Sequence, residues 1–326
     1  MKLARRRFLQ FAGAAAAAPI SLQRARALDY PTRPVRVVVA FVPGGPSDIF
    51  GRLAAQKLSE QFGKQFYVEN ISGGGGNIAA AQVARAAPDG HTILVTVSAL
   101  VTNPAFLGKA PYDPVRDFAP VAVPVASAIT IVVHPSLGVG TLDELITLVR
   151  ANPGRYTFAS GGTGAQPHLA FEQFRVSLGL DMVHVPFGGA GTAVASTVAG
   201  HTPVGVMSLP PCVPHIQEGT LRALVLSSTK RSQKLPDIPT AAEAGYPIFT
   251  GDQWLGVLVP AGTPEEIVRL LHRSIVDITK LRDVKERLDA LDFYDIQSTP
   301  EEFAERIKVE FESWRKVVET AHIRPG

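Results

Sequence analysis

Serine, aspartate, threonine and glutamine recur beside glycine in three short stretches: "PGGPSD" (43–48), "SGGTGAQ" (160–166) and "PFGGAGTA" (186–193). None of the three contains Lys or Arg. Such stretches suit the capture of a small anion by neutral donors. Glycine lets the backbone approach a ligand closely, hydroxyls donate to it, and the first N–H groups of a helix have no partner of their own. The condition is that each stretch ends a strand and opens a helix, which is how anion sites are commonly built. A fourth stretch, "SGGGGN" (72–77), has the same form and is a further candidate.

Any tight strand-to-helix turn can use glycine, so each loop alone says little. Three together, one early and two in the middle of the chain, point to a ligand held between two lobes. Motifs for bond-making chemistry are missing. There is no G-x-x-x-x-G-K-[ST], and "SGGGGN" lacks the last glycine and the acid of a dinucleotide site. Ser47 in "GPSDI" misses the nucleophile elbow, because Ile49 stands where the second glycine belongs. No Cys or His pair has zinc spacing, and His168, His184, His201 and His215 read as isolated surface, cap or core residues. The single cysteine, Cys212, excludes an internal disulfide and reads as a small buried residue, although His215 follows three positions later. The expectation is a binding protein with no catalytic residue, cofactor or metal. An exported hydrolase using Ser47 or Cys212 is the weaker alternative.

Strand-like and helix-like stretches alternate along the chain, as in βαβ units with parallel strands. Strands are expected at 35–42, 65–70 and 91–98, with helices at about 46–62 and 77–86. A second set has helices at about 141–151, 167–178 and 190–199 and strands at 155–160, 181–187, 203–209 and 221–228. After a proline-punctuated loop, "WLGVLVPAGTPEEIV" starts another strand and a helix. The tail "TPEEFAERIKVEFESWRKVVE" carries Phe303, Ile307, Phe311, Trp314 and Val318 at helical spacing. The tail has too few strands for a lobe of its own, so it is expected to complete the first. The chain then crosses between lobes near 125–130 and near 250–256, which makes a two-segment hinge.

Residues 1–27, "MKLARRRFLQFAGAAAAAPISLQRARA", have a basic start, a short alanine-rich apolar middle and Ala25-Arg26-Ala27 as a small-x-small site. This reads as an export signal cleaved near Ala27, and Arg5-Arg6 fits the twin-arginine type. The signal holds six of the 32 basic residues and none of the 29 acidic ones, which leaves 26 against 29 in the mature chain. That balance gives no reason to expect nucleic acid or an anionic membrane surface as partner.

The segments "YPTRPVRVVVAFVPGGPSDIFGRLAAQKL", "VENISGGGGNIAAAQVARAAPDGHTIL", "LRALVLSSTKRSQKLPDIPTAAEAGYP" and "WLGVLVPAGTP" closely resemble the substrate-binding proteins of tripartite tricarboxylate transporters, the Bug family. The resemblance runs from Tyr30 to Pro325. It implies a two-lobed type II periplasmic-binding-protein fold, an α/β protein whose lobes each carry a mostly parallel sheet flanked by helices. Residues 28–127 and 253–326 would form the first lobe and 128–252 the second. The implied function is capture of a small carboxylated solute in the periplasm by a monomer that delivers it to a membrane permease, or reports it to a sensor protein. The solute class stays open among citrate-like, dicarboxylic, amino and aromatic acids. Carried over by position, the first-lobe contacts would be Phe41, Gly45, Ser47, Asp48 and Ser98. The second-lobe contacts would be Ser160, Gly161, Thr163, Gln166, Phe187, Gly188, Gly189, Ala190 and Ser208. Asp48 has a plainer reading as the acid in the first turn of a helix. Ser208 stands where many relatives have an acid facing the cleft, and Gln166 near a position often held by histidine.

Overall fold

The computed structural model describes residues 29–320, and the stretch read as an export signal lies outside them. The apolar run Val35–Val39 forms β1 and is buried along nearly its whole length, as a parallel strand covered on both faces should be. It leads into α1 (Pro46–Phe62), which has Pro46 at its start and ends on Gly63 at φ +61°. β2 (Phe66–Asn70), α2 (Asn77–Ala84) and β3 (Thr92–Val97) follow, and β1 pairs in parallel with β2 and β3. Next comes α3 (Ala99–Leu107), where the sequence reading has no helix. Eight of its nine residues are buried, so it has no polar face to mark it.

The chain then forms one 16-residue strand, β4 (Phe118–Val133). Its first part, to Ala128, pairs with β9 (Asp252–Pro260), and its second part, from Ile129, pairs with β7 (Val204–Ser208) and β8 (Arg222–Leu226). All three pairings are antiparallel. β5 (Thr157–Ser160) lies in parallel between β6 (Val183–Pro186) and β7. The helices that link these strands are α4 (Leu142–Ala151), α5 (Gln166–Ser177), α6 (Ala190–Val198) and α7 (Val213–Gln217). The strand order is β2-β1-β3-β9-β4-β7-β5-β6. The sheet is therefore mixed. Pairs within the βα units of each half are parallel, and the antiparallel pairs all involve β4 or β9. Each half has its own core, with Val38, Leu94 and Trp254 in one and Phe158, Phe171 and Val206 in the other.

The C-terminal part adds α8 (Glu265–Lys280), α9 (Arg282–Ala290), β10 (Tyr294–Asp295) and α10 (Pro300–Thr320). α10 opens on a capping box: the Glu302 N–H donates to Thr299 Oγ1 at 3.1 Å, and the Thr299 N–H to Glu302 Oε2 at 2.8 Å. Its apolar stripe sets Phe303 edge-on to Trp254 of β9, with ring centroids 5.2 Å apart. On the outer side of β4 and β9, a groove of about 550 Å³ runs between residues 228–234 and the α9–β10 turn, and Asp252 and Asp292 are in its wall.

Phe303 is fully buried beneath the first-half sheet. Phe303→Ala should cost about 3–5 kcal/mol through lost burial and the cavity left behind. Thermal or urea denaturation followed by circular dichroism measures this, and a loss below about 1 kcal/mol would mean that α10 is not part of this core.

Candidate ligand-binding cleft

Three helix starts converge where the two halves of the sheet face each other. Gly45, Pro46 and Ser47 open α1, Ala165 and Pro167 flank the start of α5, and Ala190 opens α6; all six line one cavity of about 30 Å³. Phe41, Val97, Gly161, Met207, Ser208 and Gln253 complete its wall. No charged side chain is among these twelve. The macrodipoles of the three helices direct their positive ends at this space, and their first N–H groups have no helical acceptor.

Two side chains in the wall lack partners. The hydroxyls of Ser47 and Ser208 are buried and make no hydrogen bond to the protein. Each residue is only 1% exposed. A buried hydroxyl without a partner costs about 1–3 kcal/mol, so a pair of them in one cavity marks a place for a polar guest. Ser47 comes from the first half of the fold and Ser208 from the end of β7 in the second.

Of the residues expected to touch a ligand, Phe41, Gly45, Ser47, Gly161, Ala190 and Ser208 are brought together in this wall. Ser98 and Gln166 bond to each other across the halves, Oγ to Oε1, at its border. Gly189 is packed so closely against the other half that a Cβ there would lie 2.8 Å from Val42 Cγ2 and 3.3 Å from Phe41 Cβ. Gly188 also faces Val42, and the Thr163 carbonyl oxygen lies 2.9 Å from where a Cβ on Gly75 would stand, so both belong to the contact between halves rather than to the wall. Phe187 packs within the second half. The fourth glycine stretch also meets the second half, since a Cβ on Gly162 would lie 3.4 Å from the Gly75 Cα. Asn103 Nδ2 holds that stretch within the first half by donating to the Gly75 carbonyl at 2.6 Å, and Thr102 Oγ1 crosses to the Gly164 carbonyl at 2.7 Å.

Asp48 and Ser160 face elsewhere. The Asp48 carboxylate accepts from the Gly44 N–H at 3.0 Å, Asn70 Nδ2 at 2.9 Å and Arg52 at 3.0 and 2.9 Å. Burial opposes its charge, but these hydrogen bonds outweigh burial and hold the carboxyl below the usual range. Both oxygens are committed to shaping the Pro-Gly-Gly turn. Ser160 Oγ pairs with His184 Nε2 at 2.7 Å. His184 stacks on His168, with centroids 4.0 Å apart, and on Phe158. Burial, reinforced for His184 by His168, pushes their pKa values down to about 3 for His184 and about 4 for His168. Two of the four histidines that looked isolated in sequence, His168 and His184, are thus a neutral stacked pair behind the Ser160 loop. Cys212 is a core residue whose thiol burial pushes up, and it does not reach the cavity.

Pro46, Val97, Ala165, Pro167, Met207 and Gln253 are wall residues that sequence reasoning missed. Only Gln253 carries a signal that could have been used: it is a polar residue, buried in the fold, that directly precedes the apolar run of β9. Among the described residues, no group of three His, Cys, Asp or Glu side chains could hold a metal ion, and no helix is long and apolar enough to cross a membrane.

Residues 50–323 match the family described as "Tripartite tricarboxylate transporter family receptor". The chain belongs to this family. Solved structures agree with it over nearly their whole length. The periplasmic binding protein BugD is 30% identical, with a TM-score of 0.87 over 90% of this chain and 99% of that one. Rpa4515 of R. palustris with adipate is 32% identical, TM-score 0.87, over 91% and 100%. MatC (Rpa3494) of Rhodopseudomonas palustris with bound malate is 32% identical, TM-score 0.85, over 89% and 100%. The fold is the two-lobed α/β fold of these periplasmic binding proteins, and it is that of a receptor rather than of an enzyme family.

Two outcomes follow from the buried ionisable groups. The unfolded chain protonates its histidines below about pH 6.5, whereas His168 and His184 resist protonation in the fold. Stability should therefore be full above that value and fall as the pH drops toward 4. His184→Gln should flatten this part of the Tm-against-pH curve, and an unchanged slope would exclude the pair as its source. The depressed pKa of Asp48 stabilises the fold above the ordinary carboxylate range and is lost as pH falls through its lower folded value. Asp48→Asn should cost about 1–3 kcal/mol at neutral pH, with little further loss in acid.

Proposed function

We propose that this protein captures a small organic carboxylate in the cleft between its lobes and passes it to the membrane permease of a tripartite tricarboxylate-type transporter, without transforming it. The observation that carries this reading is the pair of buried, unpartnered hydroxyls, Ser47 and Ser208, in an uncharged wall at three helix starts. A carboxylate there would accept from N–H groups and hydroxyls, each bond to a charged acceptor being worth about 1.5–3 kcal/mol. Adipate and malate in two structural relatives support this class of ligand.

The lobes in this reading are residues 28–127 with 253–326, and residues 128–252. A cavity of about 30 Å³ has room for about one or two waters, so a larger acid must enter while the lobes stand apart. Bending at β4 and near Asp252 would supply that motion. The site set comprises Phe41, Gly45, Ser47, Gly161, Ala190 and Ser208 in the wall, with Ser98, Gln166 and Gly189 at its border. The working place is the periplasm, reached through the export signal at residues 1–27.

Thermal denaturation with a panel of organic acids should find at least one that raises Tm by several degrees at saturating concentration. Ser47→Ala and Ser208→Ala should each weaken that acid by about 0.5–3 kcal/mol in calorimetry. Gly189→Val should obstruct closure against Val42 and Phe41 and lose tenfold or more in affinity, while the circular dichroism melt without ligand stays near wild type. A panel with no stabilising acid, or full affinity in Gly189→Val, would count against the closing-cleft reading.

A further inference from the structure

The ends of the ligand that are not carboxylate must also meet this wall, and the wall has no acid in it. Three carboxylates on elements that carry the wall, Asp48 on α1, Asp252 on β9 and Glu172 on α5, are engaged elsewhere. Asp48 has both oxygens bound by Arg52, Asn70 and the Gly44 N–H. Asp252 precedes the wall residue Gln253 on β9, and strand alternation sends it to the outer groove instead. Glu172, two turns into α5, grips Arg175 in two bonds at 2.7 and 2.6 Å.

An ammonium group in the closed cleft would leave water, have only neutral acceptors and sit near the positive ends of α1, α5 and α6. Each of these is unfavourable for a cation. A hydroxyl meets none of these costs. The Ser47 and Ser208 hydroxyls, nearly fully buried and unpartnered, can each donate or accept, and Gln253 offers both kinds of atom. We propose that the site takes unsubstituted or hydroxylated carboxylates and rejects the corresponding amino acids, with Ser208 as a residue that sets this choice. This rests on the reading of the cleft as a carboxylate site.

The test is calorimetry on the full mature chain with matched pairs: malate and aspartate, 2-hydroxyglutarate and glutamate, lactate and alanine, with succinate, glutarate and propionate as the unsubstituted acids. At least one hydroxy or unsubstituted acid should bind, and its amino counterpart should bind at least tenfold more weakly. Ser208→Asp adds a carboxylate to the wall and should narrow or invert that ratio. Ser208→Ala should weaken the hydroxy acid more than the unsubstituted one. Because the wild-type pairs are decisive alone, a variant that fails to fold leaves the result standing. An amino acid that binds as tightly as its hydroxy partner overturns this inference and leaves the carboxylate site intact. Binding by none of the acids overturns the carboxylate site and the selectivity together.

Discussion

One strand belongs to two sheets. β4 leaves β9 at Ala128 and joins β7 and β8 from Ile129, so the two lobes share an unbroken line of backbone. Every other element takes its place from that line. Strands paired on either part of β4 bring their βα loops round to a common space, because ligands in open α/β sheets lie beyond the carboxyl ends of the parallel strands. The register with β9 shifts twice between Pro120 and Val125, and that with β8 shifts once at Ile131–Val132. These irregularities let a single long strand serve two differently twisted sheets.

The cleft also shows how a site can favour negative charge without a positive side chain. A lysine or arginine in so small a space would have to be desolvated and matched to one geometry. Helix ends and backbone N–H groups are already fixed by the fold, and they need no such reorganisation. The glycines serve this arrangement by removing bulk at the contact between lobes. A Cβ on Gly162 would lie 3.4 Å from the Gly75 Cα, and one on Gly191 would lie 2.6 Å from the Pro43 carbonyl. Backbone thus meets backbone across the cleft. The neutral His168–His184 stack supports the same strategy from behind, because it holds the Ser160 loop without adding charge near it.

Much of the fold was legible in sequence because the βα units are local. α1 lies at 46–62 as expected, and the glycine loops do fall between strands and helices. β4 was not legible as a strand, since Pro120 and Pro124 interrupt it and its pairing partners lie more than 70 residues away. α3 was missed because burial on all sides erases helical periodicity. Within the site, residue type was read more easily than direction. Ser47 and Ser208 face the cavity, whereas Asp48 and Ser160 are claimed by Asn70 and His184, partners that only the folded topology brings near. The apolar wall residues carry no chemical signal at all.

β9 fills a position between β3 and β4, although it is made more than 110 residues after β4 begins. Until residue 260 has been synthesised, the first-half sheet has an open slot with the unpaired edges of β3 and β4 on either side. Open edges are templates for wrong pairing between chains. The strands that pair on the second part of β4 all lie within residues 129–226 and can assemble first, while the first-half sheet waits for distant segments and the loop closure they require. Slow, late completion of the first sheet makes the nascent chain most prone to aggregation in that interval. The same insertion then locks both edges at once, so the finished sheet cannot lose β9 without opening from its centre.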